Sequence, residues 1–299
     1  MKLIVHPDVD IWNFVLSGLS HRDDVSLFPL RRHCNIFQRI IRRYANEAPL
    51  PTAFIVGNQL HRAIQSLHAG DAVVIADYTD PALIMAIDKI TPKEVARYMW
   101  LWNHKGTNKS FQHTLSTIQK TCFQVVTYDE SDVNQFGFAW HSQFFNIRPY
   151  RQSETANGSI SFDFFFAGYA KNREEEIGKI QTLLSAFKCD FHIIHRTSEY
   201  IPYPLYMQMA LQSRCIVDIV NVEDSSCTLR PLEAMTIRRK LFTNNPAVRK
   251  YSFYHPQNIF ILGEDDFAQL SQFLDSPFVN MPQEIVDSYD VNAWVDIFQ

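Results

Sequence analysis

The sequence predicts an α/β protein of two domains, each built on a mostly parallel sheet. Three observations carry that expectation. Apolar runs of strand length alternate with helically spaced segments over residues 2–127, and the alternation restarts at residue 162. The chain has 299 residues, more than one hydrophobic core usually serves. Between the two alternations, residues 152–159 (QSETANGS) are poor in apolar side chains and rich in turn formers. The expected boundaries are 1–150, 151–282 and an amphipathic tail over 283–299.

Composition narrows the function classes. A hydrophobic fraction of 46% with 20% charged residues suits a globular protein. Only 9 glycines occur, which speaks against a Gly-rich dinucleotide fold. A formal charge of −4 gives no case for nucleic acid as a partner. Five scattered cysteines without a CxxC pair suit a reduced compartment. The N-terminus lacks a signal-peptide layout, and no stretch has the ~18 apolar residues of a membrane span. A cytoplasmic protein is the expectation.

In the first half, residues 2–6 and 25–28 read as strands, with helical spacing over 10–19 between them. Residues 31–46 form a basic amphipathic segment with Arg31, Arg32, Arg39, Arg42 and Arg43 around an apolar stripe. Those arginines either form a solvated face or meet anionic lipid headgroups on the inner face of a membrane. Residues 52–56, 72–76, 98–102 and 122–127 read as further strands, and 109–120 as a helix. Asp77 and His104 fall just past strand ends, where α/β proteins assemble sites. Each is a candidate catalytic base, or a helix cap and a loop histidine respectively. Residues 128–150 read as irregular.

In the second half, strands are expected over 162–167, 190–195, 215–220, 240–243 and 258–262, with helices over 174–187, 203–212 and 267–274. Gly168, Lys171 and Arg173 follow the first of these strands. Glycine lets a backbone approach closely, and arginine grips two phosphate oxygens at once, so the loop suits a diphosphate. It equally suits a tight turn with solvated charges. Arg196 is a further basic candidate. After residues 215–220 comes a polar loop reaching Thr228, then a helix opening at Arg230-Pro231 and carrying Glu233. Arg230 and Glu233, three apart, could also be a plain solvated ion pair.

This strand–loop–helix–strand layout, with Arg-Pro-Leu-Glu-Ala-Met at its helix, resembles the donor-binding region of GT-B-type glycosyltransferases. The nearest likeness is to bacterial lipopolysaccharide and capsule enzymes. The loop FFFAGYAKNR resembles the phosphate-side loop of such a donor domain, and VTYDESDVNQFGFAWHSQFF the inter-domain portion. The resemblance covers residues 98 to the C-terminus and is strongest over 161–262. It implies two Rossmann-like domains facing a cleft, with a C-terminal helix crossing back to the first domain. It implies a nucleotide-sugar donor on the second domain and a glycan or lipid-linked glycan acceptor on the first. Gly168, Lys171, Arg173, Arg196, Thr228 and Arg230 would line the donor site, and Glu233 would hold the ribose. Glu223 lies ten residues before Glu233, not at the seven-residue gap of the usual retaining pair, so stereochemistry stays open.

No cofactor or metal is expected. Asp8-Val9-Asp10 is a literal DxD, but it reads as a helix-start acid pair. His192 and His195, three apart on a strand, would point to opposite faces. Two other functions remain open: a nucleotide-sugar epimerase on the same fold, and a non-catalytic nucleotide- or sugar-binding partner in polysaccharide assembly.

Overall fold

The computed structural model describes residues 1–30, 55–103, 109–150, 159–170, 172–220 and 226–299. The chain divides into two compact units. One comprises Met1–Ser142 with Val295–Gln299, the other Gln143–Trp294.

The first unit is built on six strands among the described residues: β1 (Lys2–Pro7), β2 (Val25–Leu30), β3 (Ala72–Ala76), β4 (Ala96–Leu101), β5 (Gln124–Thr127) and β6 (Ala139–Trp140). They pair in the order β2-β1-β3-β4-β5-β6, all parallel. Every residue of β3 is buried, as expected of a strand covered on both faces. One face packs Leu3, Val5, Val73 and Ile75 against Leu60 and Ile64 of helix Asn58–Gln65 and against Ile84 and Ile87 of helix Pro81–Ile90. The latter helix starts where its sequence dictates. Asp80 accepts the Ala82 and Leu83 N–H groups, and Pro81 takes the first position.

The second unit carries β7 (Phe162–Tyr169), β8 (Cys189–Ile194), β9 (Ser213–Asp218), β10 (Lys240–Thr243) and β11 (Ile259–Ile261). Their order is β11-β10-β9-β7-β8, again parallel throughout. Phe164, Phe165 and Phe166 in β7 are fully buried, each contributing roughly 2–3 kcal/mol of apolar burial. Counted within its own unit, each sheet runs second-first-third-fourth-fifth, with a sixth strand following in the first. Each therefore has a switch point between its first and third strands, where connections leave in opposite directions. These points lie between β1 and β3 and between β7 and β9.

Three local expectations differ from the structure. Residues 52–54 lie outside the described residues, and Ile55 and Val56 are helical rather than extended. A four-residue apolar run between Pro51 and Gly57 does not separate strand from buried helix. Helix Asn58–Gln65 was not expected, because its core face shows little beyond Leu60 and Ile64. The supposedly irregular 128–150 stretch holds helix Glu130–Phe136. Asp129 caps it by accepting the Ser131 and Asp132 N–H groups, and Gly137 ends it at φ 71°. Strand β6 follows, so residues 122–127 are not the last strand of the first half.

The tail forms helices Gln283–Ser288 and Val291–Asp296. Within the first unit, Asp296 pairs with Arg22 at 2.7 Å and Lys2 at 3.3 Å, and the Tyr98 hydroxyl donates to the Gln299 carbonyl at 2.8 Å.

Candidate functional site

The carboxyl ends of β7, β9 and β10 converge on one buried carboxylate, Asp218. It ends β9 and is 1% exposed. One oxygen accepts the Thr228 hydroxyl at 2.9 Å, the other the Thr243 hydroxyl at 3.0 Å. The Arg230 guanidinium stands 3.7 Å from the first oxygen. A buried carboxylate needs such partners, because leaving it bare costs several kcal/mol. The surrounding backbone is pinned as well. Asn244 exchanges two hydrogen bonds with the Val220 backbone, and Asn245 donates to the Ser226 carbonyl at 3.0 Å.

Arg230 reaches from the first position of helix Arg230–Thr236 to β7. Its Nη2 donates to the Ala167 carbonyl at 2.7 Å, and its guanidinium lies 5.4 Å from the Phe166 ring centre. The neighbouring residue has to be small. A Cβ on Gly168 would stand 2.7 Å from Arg230 Nη2, so any side chain there displaces the guanidinium. Arg173 arrives from the other side. Its Nη2 donates to the Tyr169 carbonyl at 2.6 Å and its Nη1 to the Ile219 carbonyl. Two guanidiniums therefore frame the end of β7, and Arg230 keeps a buried Nε without a partner among the described residues. Both arginines stay charged at any working pH. The arrangement can bind a compact polyanion.

Glu233, on the same helix, has partners of its own. It is 3% exposed, and each of its oxygens accepts a tyrosine hydroxyl at 2.5 Å, Tyr203 on one and Tyr206 on the other. Both tyrosines come from helix Tyr203–Leu211, with their rings stacked 5.5 Å apart. Burial pushes the Glu233 carboxyl above the usual carboxylate range, against the pull of Arg230 and the two hydroxyls. Tyr150 is pushed up to about 12 by burial and by the nearby Glu233 charge. So Arg230 and Glu233 are not a solvated pair: Arg230 is half-buried, Glu233 is buried, and each has its own partners.

Among the other expected donor residues, Thr228 belongs to the Asp218 group. Arg196 is exposed beyond β8, its backbone N–H held by Glu199. Lys171 and Glu223 lie outside the described residues, as do His104 and Arg31, Arg32, Arg39, Arg42 and Arg43. Asp77 directly follows β3 beside the switch point of the first sheet, with φ 53°. Asn103 donates to its carboxylate at 2.9 Å. Asp80, not Asp77, caps the following helix. Of the DxD acids, Asp10 opens helix Asp10–Leu16 and Asp8 accepts from Asn13, as a helix-start pair does. His192 meets Asp190, and His195 meets Glu174.

Several residues of both regions escaped the sequence reading. Asp218 sat inside a run read as almost wholly apolar. Tyr203 and Tyr206 lie some thirty residues from Glu233 and carry no local signal. His6 and His141 lie at the carboxyl edge of the first sheet, and each turns Nδ1 to a backbone carbonyl, of Pro7 at 3.0 Å and Ser142 at 2.9 Å. A carbonyl only accepts, so Nδ1 carries the proton and Nε2 is left as the basic nitrogen. Burial lowers both imidazoles from the ordinary histidine value and keeps them neutral.

No protein-family model and no curated protein matches the chain by sequence. Solved structures do match by fold. A trehalose-6-phosphate synthase, OtsA, aligns with TM-score 0.59 at 10% identity over 100% of this chain and 98% of its own. Anabaena HepE in complex with UDP and glucose aligns with TM-score 0.55 at 8% identity over 100% and 95%. The N-terminal domain of a Candida albicans trehalose-6-phosphate phosphatase aligns with TM-score 0.52 at 9% identity over 96% and 90%. At such identities the likeness is one of fold: two parallel-sheet α/β domains of the GT-B type, followed across the whole chain.

Proposed function

We propose that the protein is a glycosyltransferase that takes a sugar from a nucleotide-sugar donor. The observation that carries the proposal is the buried group at the β7/β9 switch point: Gly168 left bare so that Arg230 can lie against β7, with Arg173 opposite. Two fixed guanidiniums at the carboxyl end of a parallel sheet suit a diphosphate. The fold likeness to HepE, whose structures hold UDP-glucose or UDP, favours this ligand class. Lys171 and Arg196 would add positive charge, Thr228 would steady the loop, and Glu233 would hold the ribose.

In the reaction, the bond between the sugar's anomeric carbon and the diphosphate oxygen breaks, and one to an acceptor hydroxyl forms. The hydroxyl proton passes to a base, for which Asp77 and His104 on the first unit are the candidates. The nucleoside diphosphate leaves with the bond electrons, its charge met by Arg173 and Arg230. The acceptor would be a growing bacterial surface glycan, with Arg31, Arg32, Arg39, Arg42 and Arg43 facing an anionic membrane. Among the described residues no helix is long and apolar enough to cross one.

A thermal-shift series with UDP, UDP-glucose and the other common nucleotides and nucleotide sugars tests the donor site. A ligand at a hundred times its Kd should add about 2.7 kcal/mol to stability. No shift with any of them would sink the proposal. Release of nucleoside diphosphate that depends on a glycan acceptor would establish transfer. Conversion of the nucleotide sugar without acceptor would make the protein an epimerase, and binding without turnover a non-catalytic partner.

A further inference from the structure

Glu233 presents an apparent contradiction: a residue expected to hold a ribose is buried and already takes a hydrogen bond on each oxygen. The lone-pair count resolves it. An ionised carboxylate offers about four acceptor sites, two on each oxygen. Tyr203 uses one and Tyr206 another, on different oxygens, and no other hydrogen bond to Glu233 is made among the described residues. One site per oxygen is left, which matches a vicinal diol.

A protonated carboxyl could not do this, because one oxygen would become a donor. The ionisation state therefore matters, and the surroundings set it. Burial and Asp218 favour the neutral acid, whereas Arg230 on the same helix and the two tyrosine hydroxyls favour the carboxylate. Tyr150, from the turn at Arg148–Tyr150, is a further titratable neighbour, and it stays neutral at working pH. Neither Tyr203 nor Tyr206 gives up its proton at such pH, since burial and the Glu233 charge push both well above the usual tyrosine value. They act as permanent donors.

We propose that Tyr203 and Tyr206 are positioning residues that hold Glu233 as an oriented acceptor for the two hydroxyls of a nucleotide ribose. The inference rests on the donor reading of the second unit. It assigns the pair a task beyond packing: without their hydroxyls the carboxylate loses its fixed orientation and two of the groups that favour its ionised form.

The test is calorimetric titration with UDP, 2′-deoxy-UDP and inorganic pyrophosphate between about pH 6.5 and 9, chosen to span neutrality. UDP and its deoxy analogue share their phosphate titration, so the ratio of their affinities reports the ribose hydroxyl alone. In the wild-type protein the ratio should be about 10 at the high end of the range, as for one hydrogen bond to a charged group. In the Tyr203→Phe/Tyr206→Phe double variant it should fall, and fall further at the low end than at the high end, because losing the two donors favours the neutral acid. Pyrophosphate affinity should be unchanged within about twofold, showing an intact fold and anion site. If the double variant does not fold, each single variant should show the same pH-dependent loss, reduced to about threefold. A ratio near 1 in the wild type overturns the inference, as does an unchanged ratio in the variants or a loss that does not recover with pH. A wild-type protein that binds neither UDP nor pyrophosphate overturns instead the donor reading on which the inference rests.

Discussion

The two switch points share a topology and differ in chemistry. Between β7 and β9 the chain half-buries two arginines and buries an aspartate and a glutamate, the acids held by threonine and tyrosine hydroxyls. Between β1 and β3 it places Tyr78, whose hydroxyl donates to the His6 and Leu30 carbonyls, and Asp77 with Asn103. The first arrangement carries fixed positive charge that a diphosphate can use. The second carries the His6 imidazole and the Asp77 carboxylate, groups that accept protons. One doubly wound topology thus supplies a site twice, and the side chains at the strand ends decide whether it suits an anion or a hydroxyl group.

The largest effect that could break this contrast is Arg230→Ala. It strips Asp218 of its counter-charge and empties the space over β7, so unfolding in urea should show a loss of about 3 kcal/mol. UDP affinity should fall by two orders of magnitude or more, roughly the worth of a bidentate charged contact. Asn103→Ala at the other switch point should cost under about 1 kcal/mol, since Asn103 is exposed. Comparable losses would erase the distinction between the two regions. Gly168→Ala comes next. Its Cβ should push Arg230 aside, lowering UDP affinity about tenfold while stability changes by no more than about 1 kcal/mol. An unchanged affinity would show that the guanidinium is not the anion's ligand.

The sequence was legible where one physical rule dominated. Continuous apolar runs such as AVVIA and FFFA marked buried parallel strands, and Arg230-Pro231 marked a helix start. It was illegible where identity depends on distant partners. Asp218 looked like an interruption of an apolar strand, and only Thr228 and Thr243, ten and 25 residues onward, make it the hub. Glu233 was visible at its helical position, but its tyrosine partners come from another helix. Helix Asn58–Gln65 was hidden because two core contacts among polar residues make a weak period.

Asp77 offers a sharper test on the first side. Its left-handed backbone costs roughly 1 kcal/mol, less than for most residues because aspartate tolerates this region. Asp77→Gly should therefore raise the melting temperature slightly. If Asp77 is the base, the same change should abolish acceptor-dependent turnover without altering UDP affinity. Loss of both would place Asp77 on the donor side and blur the comparison.

The smallest expected effect is a difference in acid response. In the first unit the Arg22 side chain pulls Asp24 down to about 2, from 3.8 when free. Its contribution is present above the free value and is lost as pH falls towards 2, although it is modest because Asp24 is about half exposed. In the second unit burial raises Glu233 above its free value of 4.5. The native state then binds more protons than the unfolded chain, so this group lowers stability as pH rises from 4.5 through its folded value. Hydrogen exchange between about pH 4.5 and 7 should show second-unit protection, corrected for intrinsic exchange, falling with pH relative to the first unit. Glu233→Gln should flatten that slope. A slope that survives the substitution would assign it to another group and leave Glu233 without its raised titration.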